Sequence, residues 1–142
     1  MGTARRYGTV MTVIHIAAAL IEDRAGHVLL VRKASSRFFM QAGGKIEPGE
    51  EPAAALAREL NEEIGLIVAP SEFRPLGRFS APAVNEPDHR VDAHVFHLCT
   101  DHDPVPAAEI AEALWVDPAE ADALPLAPLT RDHILPRHRQ GC

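Results

Sequence analysis

Short runs of apolar residues in the first third of the chain indicate buried β-strands. Residues 9–21 are rich in Val, Ile and Thr, which predicts a strand that is buried on both faces. Residues 22–26 end in a glycine and predict a turn, and residues 27–32 predict a second strand. The two strands are therefore expected to form a hairpin.

The rest of the chain alternates between short apolar runs and segments rich in turn-forming residues. The apolar runs predict further strands at residues 38–40, 66–69, 73–81, 90–100 and 113–116. Segments 82–89 and 101–108 are predicted loops, and segments 117–123 and 129–135 are predicted helical turns or short helices. In the strand 90–100, the apolar residues Val91, Ala93 and Val95 alternate onto one face. This order predicts an α/β fold with a mixed sheet flanked by helices.

The most regular helical pattern lies between Pro52 and Gly65. Proline suits the first helical turn, and glycine suits the left-handed position that ends a helix. The segment between them would make roughly 20 Å of helix at about 1.5 Å per residue. At helical spacing its apolar side chains form one stripe for burial, consisting of Ala53, Leu56, Ala57, Leu60 and Ile64.

Beside that stripe the same helix carries Glu59, Glu62 and Glu63 on a neighbouring arc. Like charges at this spacing destabilise an isolated helix by roughly 0.2–0.5 kcal/mol per pair. Arg58 is the only cation of the helix, and the pattern places it away from the arc. Three unpaired carboxylates are expected to need an outside cation, and hard oxygen ligands suit Mg²⁺, with Mn²⁺ or Ca²⁺ as replacements. A solvated acidic face would explain the pair Glu62 and Glu63 taken alone.

The complete spacing from Gly44 to Leu66 is far more specific than the glutamates alone. Seven fixed residue types, each used at about 7%, match by chance at roughly 10⁻⁸ per starting position. The pattern reads G-x5-E-x7-R-E-hydrophobic-x-E-E-x-G-hydrophobic, and every position is met. The chain therefore resembles the MutT-like Nudix hydrolases, in which this stretch is called the Nudix box. The resemblance implies the Nudix fold, an α/β/α sandwich whose mixed sheet carries the box as a catalytic loop–helix–loop.

The resemblance also assigns roles to the residues of the box. It implies Glu59 and Glu63 as direct metal ligands, with Glu62 completing the cluster or holding a metal-bound water. The backbone carbonyl of Gly44 is implied as a further ligand. Arg58 is expected to pair with a box carboxylate and to fix the loop against the helix.

The general base varies among relatives, being either a box glutamate or a carboxylate from a distant loop. Glu109 and Glu112 lie just before the predicted last strand, where some relatives supply an extra carboxylate. We take Glu109 as the stronger candidate of the two. An exposed acidic loop is the alternative interpretation.

Cationic and aromatic residues outside the box could contact a substrate. The cations near predicted strand ends or loops are Arg32, Arg37, Lys45, Arg78 and Arg90. Most such residues simply face solvent, so each is only a candidate for binding phosphate. Three aromatic residues could stack on a base or pack in the core, namely Phe38, Phe39 and Phe79.

Composition limits the class of protein and its partners. The 142 residues are predicted to form one Nudix domain, 1–142. A net charge of −6 disfavours a nucleic-acid polymer or an anionic membrane as partner. The apolar run near the start is too short to span a membrane. The only cysteines, Cys99 and Cys142, predict no disulfide framework, and a cytoplasmic location is expected by default.

The sequence leaves the substrate open between subclasses. Pro82 lies 16 residues beyond Leu66, as in ADP-ribose enzymes. Ala83 and Val84 occupy the region where diadenosine-polyphosphate hydrolases show a tyrosine, and the GGKIE stretch at 43–47 is typical of triphosphate-hydrolysing members. We expect a metal-dependent hydrolase that cleaves a pyrophosphate bond in a nucleoside diphosphate linked to another moiety, with triphosphates ranked ahead of ADP-ribose. A non-catalytic nucleotide sensor is the alternative, and family resemblance makes a homodimer an expectation.

Overall fold

A mixed β-sheet forms the centre of the protein in the computed structural model, which describes residues 11–84, 86–138 and 142. Within these residues the sheet has seven strands: β1 (Thr12–Glu22), β2 (Val28–Lys33), β3 (Phe39–Met40), β4 (Gly43–Lys45), β5 (Arg74–Pro82), β6 (His89–Cys99) and β7 (Ile110–Val116). The helix α1 spans Pro52–Ile64. Shorter helical segments follow at Pro70–Glu72, Pro118–Ala123, Thr130–Ile134 and Leu135–Arg137. The mixed sheet, the helix and the short C-terminal helical segments confirm the predicted class.

Strand β1 is the central strand of the sheet. It pairs in parallel with β6 along its whole length, from Thr12 opposite His89 to Glu22 opposite Cys99. On its other side β4 runs antiparallel, and β2 pairs with β1 only at Glu22 and Val28. The predicted hairpin is therefore confirmed only at its closed end, because β2 makes most of its pairs with β7. The glycine-rich strand β4 thus lies beside the middle of β1.

The core has two layers, one on each face of the sheet. On the helix face, the apolar stripe of α1 packs on Ala17, Ala19 and Ile21 of β1. On the opposite face, Ala18 and Leu20 pack beneath the C-terminal segment. The prediction that the first strand is buried on both faces holds for its second half only, since Val13 is 49% exposed.

Two predicted strands differ from those observed. Residues 66–69 form no strand, because Gly65 reverses the chain and the Leu66 N–H bonds back to the Leu60 carbonyl at 3.3 Å. The last strand is longer than predicted and starts at Ile110. Glu112 therefore lies inside β7 instead of before it.

The cysteines also differ from expectation, because Cys99 and Cys142 form a disulfide with their Cα atoms 5.7 Å apart. The prediction of no disulfide framework was wrong in that the two cysteines do bond. They are separated by 43 residues, and only the tertiary fold brings the chain end beside the end of β6.

Among the described residues, no helix is long and apolar enough to cross a membrane.

Candidate active site

Helix α1 begins and ends where the sequence predicts. Pro52 occupies its first turn, and Gly65 takes a left-handed conformation at φ 69° as its C-cap. Because Leu56, Leu60 and Ile64 are fully buried against the sheet, the rotation of the helix is fixed. The carboxylates of the box are thereby held beside β4.

Arg58 joins the loop before the helix to the helix itself. Its Nε and Nη2 atoms donate to the two carboxylate oxygens of Glu50, each at 2.9 Å. Nη2 also donates to the Lys45 carbonyl at 3.2 Å, and the Glu47 N–H donates to Glu50 at 3.0 Å. The hydrogen bond from Arg58, helped by that from Glu47, lowers the pKa of Glu50 to about 2. This geometry supports the structural role that the resemblance implied for Arg58.

The direction of the Arg58 side chain corrects one prediction. Its Nη1 atom donates to Glu59 Oε2 at 3.0 Å and lies 3.5 Å from Glu62 Oε1. The guanidinium therefore faces the acidic arc, although helical spacing pointed it away. Helical spacing fixes only the Cα–Cβ direction, and a long arginine side chain can fold across the helix surface. Glu59 and Glu62 are accordingly paired in this structure.

Glu63 is the most buried carboxylate of the box, with 8% of the residue exposed. Its Oε1 atom accepts the Gly43 N–H at 3.0 Å. Burial raises the pKa of Glu63 to about 7, against the opposing effects of the Gly43 hydrogen bond and the Lys33 charge. Burial also raises the pKa of Glu59, and the Arg58 hydrogen bond opposes that shift. Both carboxylates therefore lie where a nearby cation would stabilise their charged forms.

Gly44 leaves room for the Glu59 carboxylate. A Cβ atom at this position would lie 2.6 Å from Glu59 Oε2, which is too close for any side chain without displacing the carboxylate. Gly43 is in the positive-φ region at 148° and pairs with Ala18 of β1. The two glycines therefore allow the backbone of β4 to run directly against the acidic arc.

The carboxylates of the acidic arc and the Gly44 carbonyl are oxygen ligands that suit a hard divalent cation. In this arrangement the carboxylates do not converge on one point. In the part of the chain that the structure describes, no three His, Cys, Asp or Glu side chains are grouped closely enough to hold a metal ion. Arg58 contacts Glu59 and Glu62, while Glu63 accepts a hydrogen bond from Gly43. Carboxylate oxygens such as these are the ligands that Mg²⁺ or Mn²⁺ prefers.

A cavity of about 460 Å³ opens beside these carboxylates. Its charged lining residues are Lys33, Lys45, Glu63 and Glu86, and the glycines Gly43 and Gly44 also line it. The other lining residues are largely apolar and include Ile14, Ile16, Ala18, Val91 and Leu129, with Gln41 and Thr130 among the polar ones. The cavity therefore combines charged groups with a largely apolar wall.

Lys33, Gln41 and Thr130 are site residues that the sequence reasoning missed. Lys33 is the last residue of β2, one residue beyond the end of the predicted strand. No local pattern marks Gln41 or Thr130, because 89 residues separate them and only the fold brings them into contact.

Glu109 lies near the site, whereas Glu112 does not. Glu109 Oε1 is 3.7 Å from Lys33 Nζ, and its charge contributes to the raised pKa of Glu63. Glu112 instead pairs with Arg32 across β7 and β2 at 3.0 Å. Glu109 therefore contacts a cation of the cavity and Glu112 contacts Arg32, and neither glutamate is among the residues that line the cavity.

The other candidate cations and aromatics are mostly engaged elsewhere. Arg78 pairs with Asp92, Arg90 donates to Ser80, and Arg37 lies over the Phe38 ring. Only Lys45 of the predicted cations lines the cavity, as judged from the described residues.

Phe39 is buried in the core, and the Phe79 ring stacks on His133 with centroids 5.7 Å apart. Neither aromatic ring lines the cavity.

Comparisons with known proteins point to one family. A family model described as the NUDIX domain matches residues 12–138. The chain is similar to the CTP pyrophosphohydrolase of Escherichia coli strain K12, with 34% identity over 123 residues, covering 83% of this chain and 86% of that protein. It is 30% identical over 116 residues to the 8-oxo-dGTP diphosphatase of Haemophilus influenzae, covering 78% of this chain and 81% of that protein.

The solved structure of a MutT protein from Methanosarcina mazei Go1 aligns with a TM-score of 0.74 at 24% identity. The alignment covers 92% of this chain and 95% of that chain. This likeness confirms the predicted fold.

Proposed function

This chain belongs to the Nudix family of pyrophosphohydrolases, which act on nucleotide phosphoric anhydrides, and from that membership we propose that it hydrolyses a nucleoside triphosphate with Mg²⁺. The observation that carries the proposal is a cavity lined by charged side chains, among them Glu63 of the acidic arc, and by a largely apolar wall. A nucleoside triphosphate has the same two kinds of group, with a charged phosphate chain at one end and a flat, largely apolar base at the other.

The box residues would hold the metal that Nudix hydrolases generally need. Glu59, Glu62, Glu63 and the Gly44 carbonyl are the proposed ligands. When bound, a divalent cation neutralises phosphate charge and makes a bound water more acidic. Mn²⁺ is a reasonable substitute for Mg²⁺, because both accept hard oxygen ligands.

The cations of the cavity would bind the phosphate chain. Lys33 and Lys45 line the cavity, where they can offset the charge of the outer phosphates. Arg58 has a positioning role, since its contacts with Glu50 and the Lys45 carbonyl hold the loop against the helix.

Glu109 is our proposed general base. It lies in the loop that leads into β7, close to Lys33 and outside the acidic arc. From there it would accept the proton of the attacking water, which leaves the box carboxylates free to hold metal.

Two relatives favour triphosphates over ADP-ribose. The CTP pyrophosphohydrolase and the 8-oxo-dGTP diphosphatase are named for triphosphate substrates, and each aligns over at least 81% of its own length. Pro82, the residue that suggested an ADP-ribose enzyme, lines the cavity together with Ala83 and Val84. ADP-ribose is therefore the second candidate substrate.

A coupled phosphate-release assay tests the proposal. CTP, dGTP, 8-oxo-dGTP, ADP-ribose and diadenosine tetraphosphate would be compared with Mg²⁺ and with Mn²⁺, using wild type and Glu63→Gln. We expect turnover of a triphosphate that is lost in the variant. Hydrolysis of ADP-ribose alone would identify ADP-ribose as the substrate in place of a triphosphate. If none of the five compounds were hydrolysed, the nucleotide sensor would be favoured.

A further inference from the structure

Gln41 is a buried amide with only part of its hydrogen-bonding capacity used. It follows β3, and 6% of the residue is exposed. The Thr130 hydroxyl donates to Gln41 Oε1 at 2.7 Å. Gln41 Nε2 is buried and has no hydrogen-bond partner among the residues that the structure describes. A buried amide nitrogen without a partner is unfavourable, so a partner is expected to come from outside the chain.

The surroundings indicate what that partner is. Gln41 and Thr130 both line the cavity, together with the apolar residues Ile16, Ala18 and Leu129. Glu63 lines the same cavity. If the phosphates of a nucleotide lie near Glu63, its base has the remaining walls of this cavity, including the Gln41 amide, as its surroundings.

We propose that Gln41 is the residue that reads the nucleobase, donating from Nε2 to a carbonyl oxygen or ring nitrogen of the base. Thr130 is a positioning residue, since its hydroxyl fixes the orientation of the amide. The inference rests on the proposed nucleotide substrate. It goes further by stating that affinity for the base depends on the Gln41 amide donor, which is buried, so that a wrong or missing partner is strongly disfavoured.

The chemistry of the amide explains why glutamine suits this position. A nucleobase edge offers a hydrogen-bond acceptor next to a donor, which an amide can match with its own donor and acceptor. Thr130 occupies one lone pair of Oε1 and leaves the second available. A carboxylate of the same length would keep the acceptor and lose the donor.

Four variants test this assignment. Gln41→Leu removes both polar atoms, and Gln41→Glu replaces the donor with an acidic acceptor oxygen. Thr130→Val removes the hydroxyl that orients the amide, and Thr130→Ser is the matched control that retains it. For each variant, kcat and KM would be measured with CTP, dGTP and 8-oxo-dGTP. In parallel, thermal stabilisation by each nucleotide would be compared with that by inorganic tripolyphosphate, which has no base.

We expect both Gln41 variants to raise KM for the preferred nucleotide roughly ten-fold or more, with kcat changed less than about three-fold. Thr130→Val should give a smaller rise in KM, and Thr130→Ser, which keeps the hydroxyl, should raise KM less than Thr130→Val does. Stabilisation by tripolyphosphate should be the same in all variants. An unchanged nucleotide KM in Gln41→Leu would overturn the assignment. The Gln41 amide would then be interpreted as the hydrogen-bond partner of a buried water molecule.

The stabilisation assay also separates this inference from the proposed function. If wild type hydrolyses none of the triphosphates, but nucleotides stabilise it more than tripolyphosphate and Gln41→Leu abolishes that difference, the function fails and the inference stands. If wild type hydrolyses triphosphates, but tripolyphosphate stabilises every variant as well as nucleotides do, the function stands and the inference fails.

Discussion

The two faces of the sheet distribute their functional residues along the chain in opposite ways. On the helix face, the acidic arc and its supporting loop come from one continuous stretch, Gly44 to Leu66. On the opposite face, the apolar wall of the cavity combines residues as distant as Ile16, Val91 and Leu129. Metal chemistry needs fixed spacing between carboxylates, which one helix supplies, whereas the shape that holds a ligand is assembled by tertiary contacts. The helix face should therefore control kcat and the opposite face should control affinity for the base.

The largest expected effect is on the helix face. Glu63→Gln removes a carboxyl group that lines the cavity and is a proposed metal ligand, and it should lower kcat by roughly 10³-fold or more. The Gly43 N–H can still donate to the amide oxygen, so circular dichroism and the melting profile should stay native. Glu47→Gln is the matched control, because Glu47 is exposed in the same loop–helix unit. A normal kcat in Glu63→Gln would remove the box from the mechanism.

The next largest effect tests the carboxylate that comes from outside the box. Glu109→Gln should lower kcat by about 10²-fold, since general bases contribute on that order or more. Glu112→Gln is its control, because Glu112 pairs with Arg32 instead of facing the site. Steady-state rates at saturating nucleotide would compare the two. Equal rates for both variants would shift the role of base back to a box glutamate.

A smaller effect is expected from Arg58→Lys. Lysine keeps the charge but cannot donate to both oxygens of Glu50 while also contacting Glu59. We predict a fall in kcat/KM of roughly ten-fold and faster hydrogen exchange in residues 45–50. Arg131→Lys, at an exposed arginine paired with Asp132, is the control. If exchange in the loop were unchanged, Arg58 would not be what holds it.

The last prediction concerns stability without metal instead of a rate. The folded pKa of Glu63 is about 7, above the ordinary value of 4.5, so the folded state binds this proton more tightly than the unfolded state. The free energy of unfolding should therefore fall as pH rises from about 4.5 to 7, by up to about 3 kcal/mol. Urea denaturation at several pH values, with EDTA present, would measure this slope. Glu63→Gln should flatten it, and an equal slope in both proteins would assign it to other groups.

The same contrast between faces explains what could be predicted from the sequence. The bounds of α1 were predictable because Pro52, Gly65 and the apolar stripe act locally. The orientation of Arg58 was not, because helical spacing does not fix the end of a long side chain. The Gln41–Thr130 contact could not be predicted either, since it depends on the C-terminal segment folding over the sheet.

Similar limits apply to the strands and the cysteines. An apolar run such as 66–69 carries no information about whether a neighbouring strand is available, and here the turn at Gly65 leaves it unpaired. The Cys99–Cys142 bond likewise depends on where the chain end lies in space.

The most direct test of the central claim is the rate of CTP hydrolysis as Mg²⁺ is removed with EDTA and then restored, in wild type and in Glu63→Gln. We predict that wild type loses activity with EDTA and regains it with Mg²⁺, while Glu63→Gln stays inactive throughout. Hydrolysis that continues in EDTA, or that survives in Glu63→Gln, would contradict a metal-dependent reaction at the acidic arc.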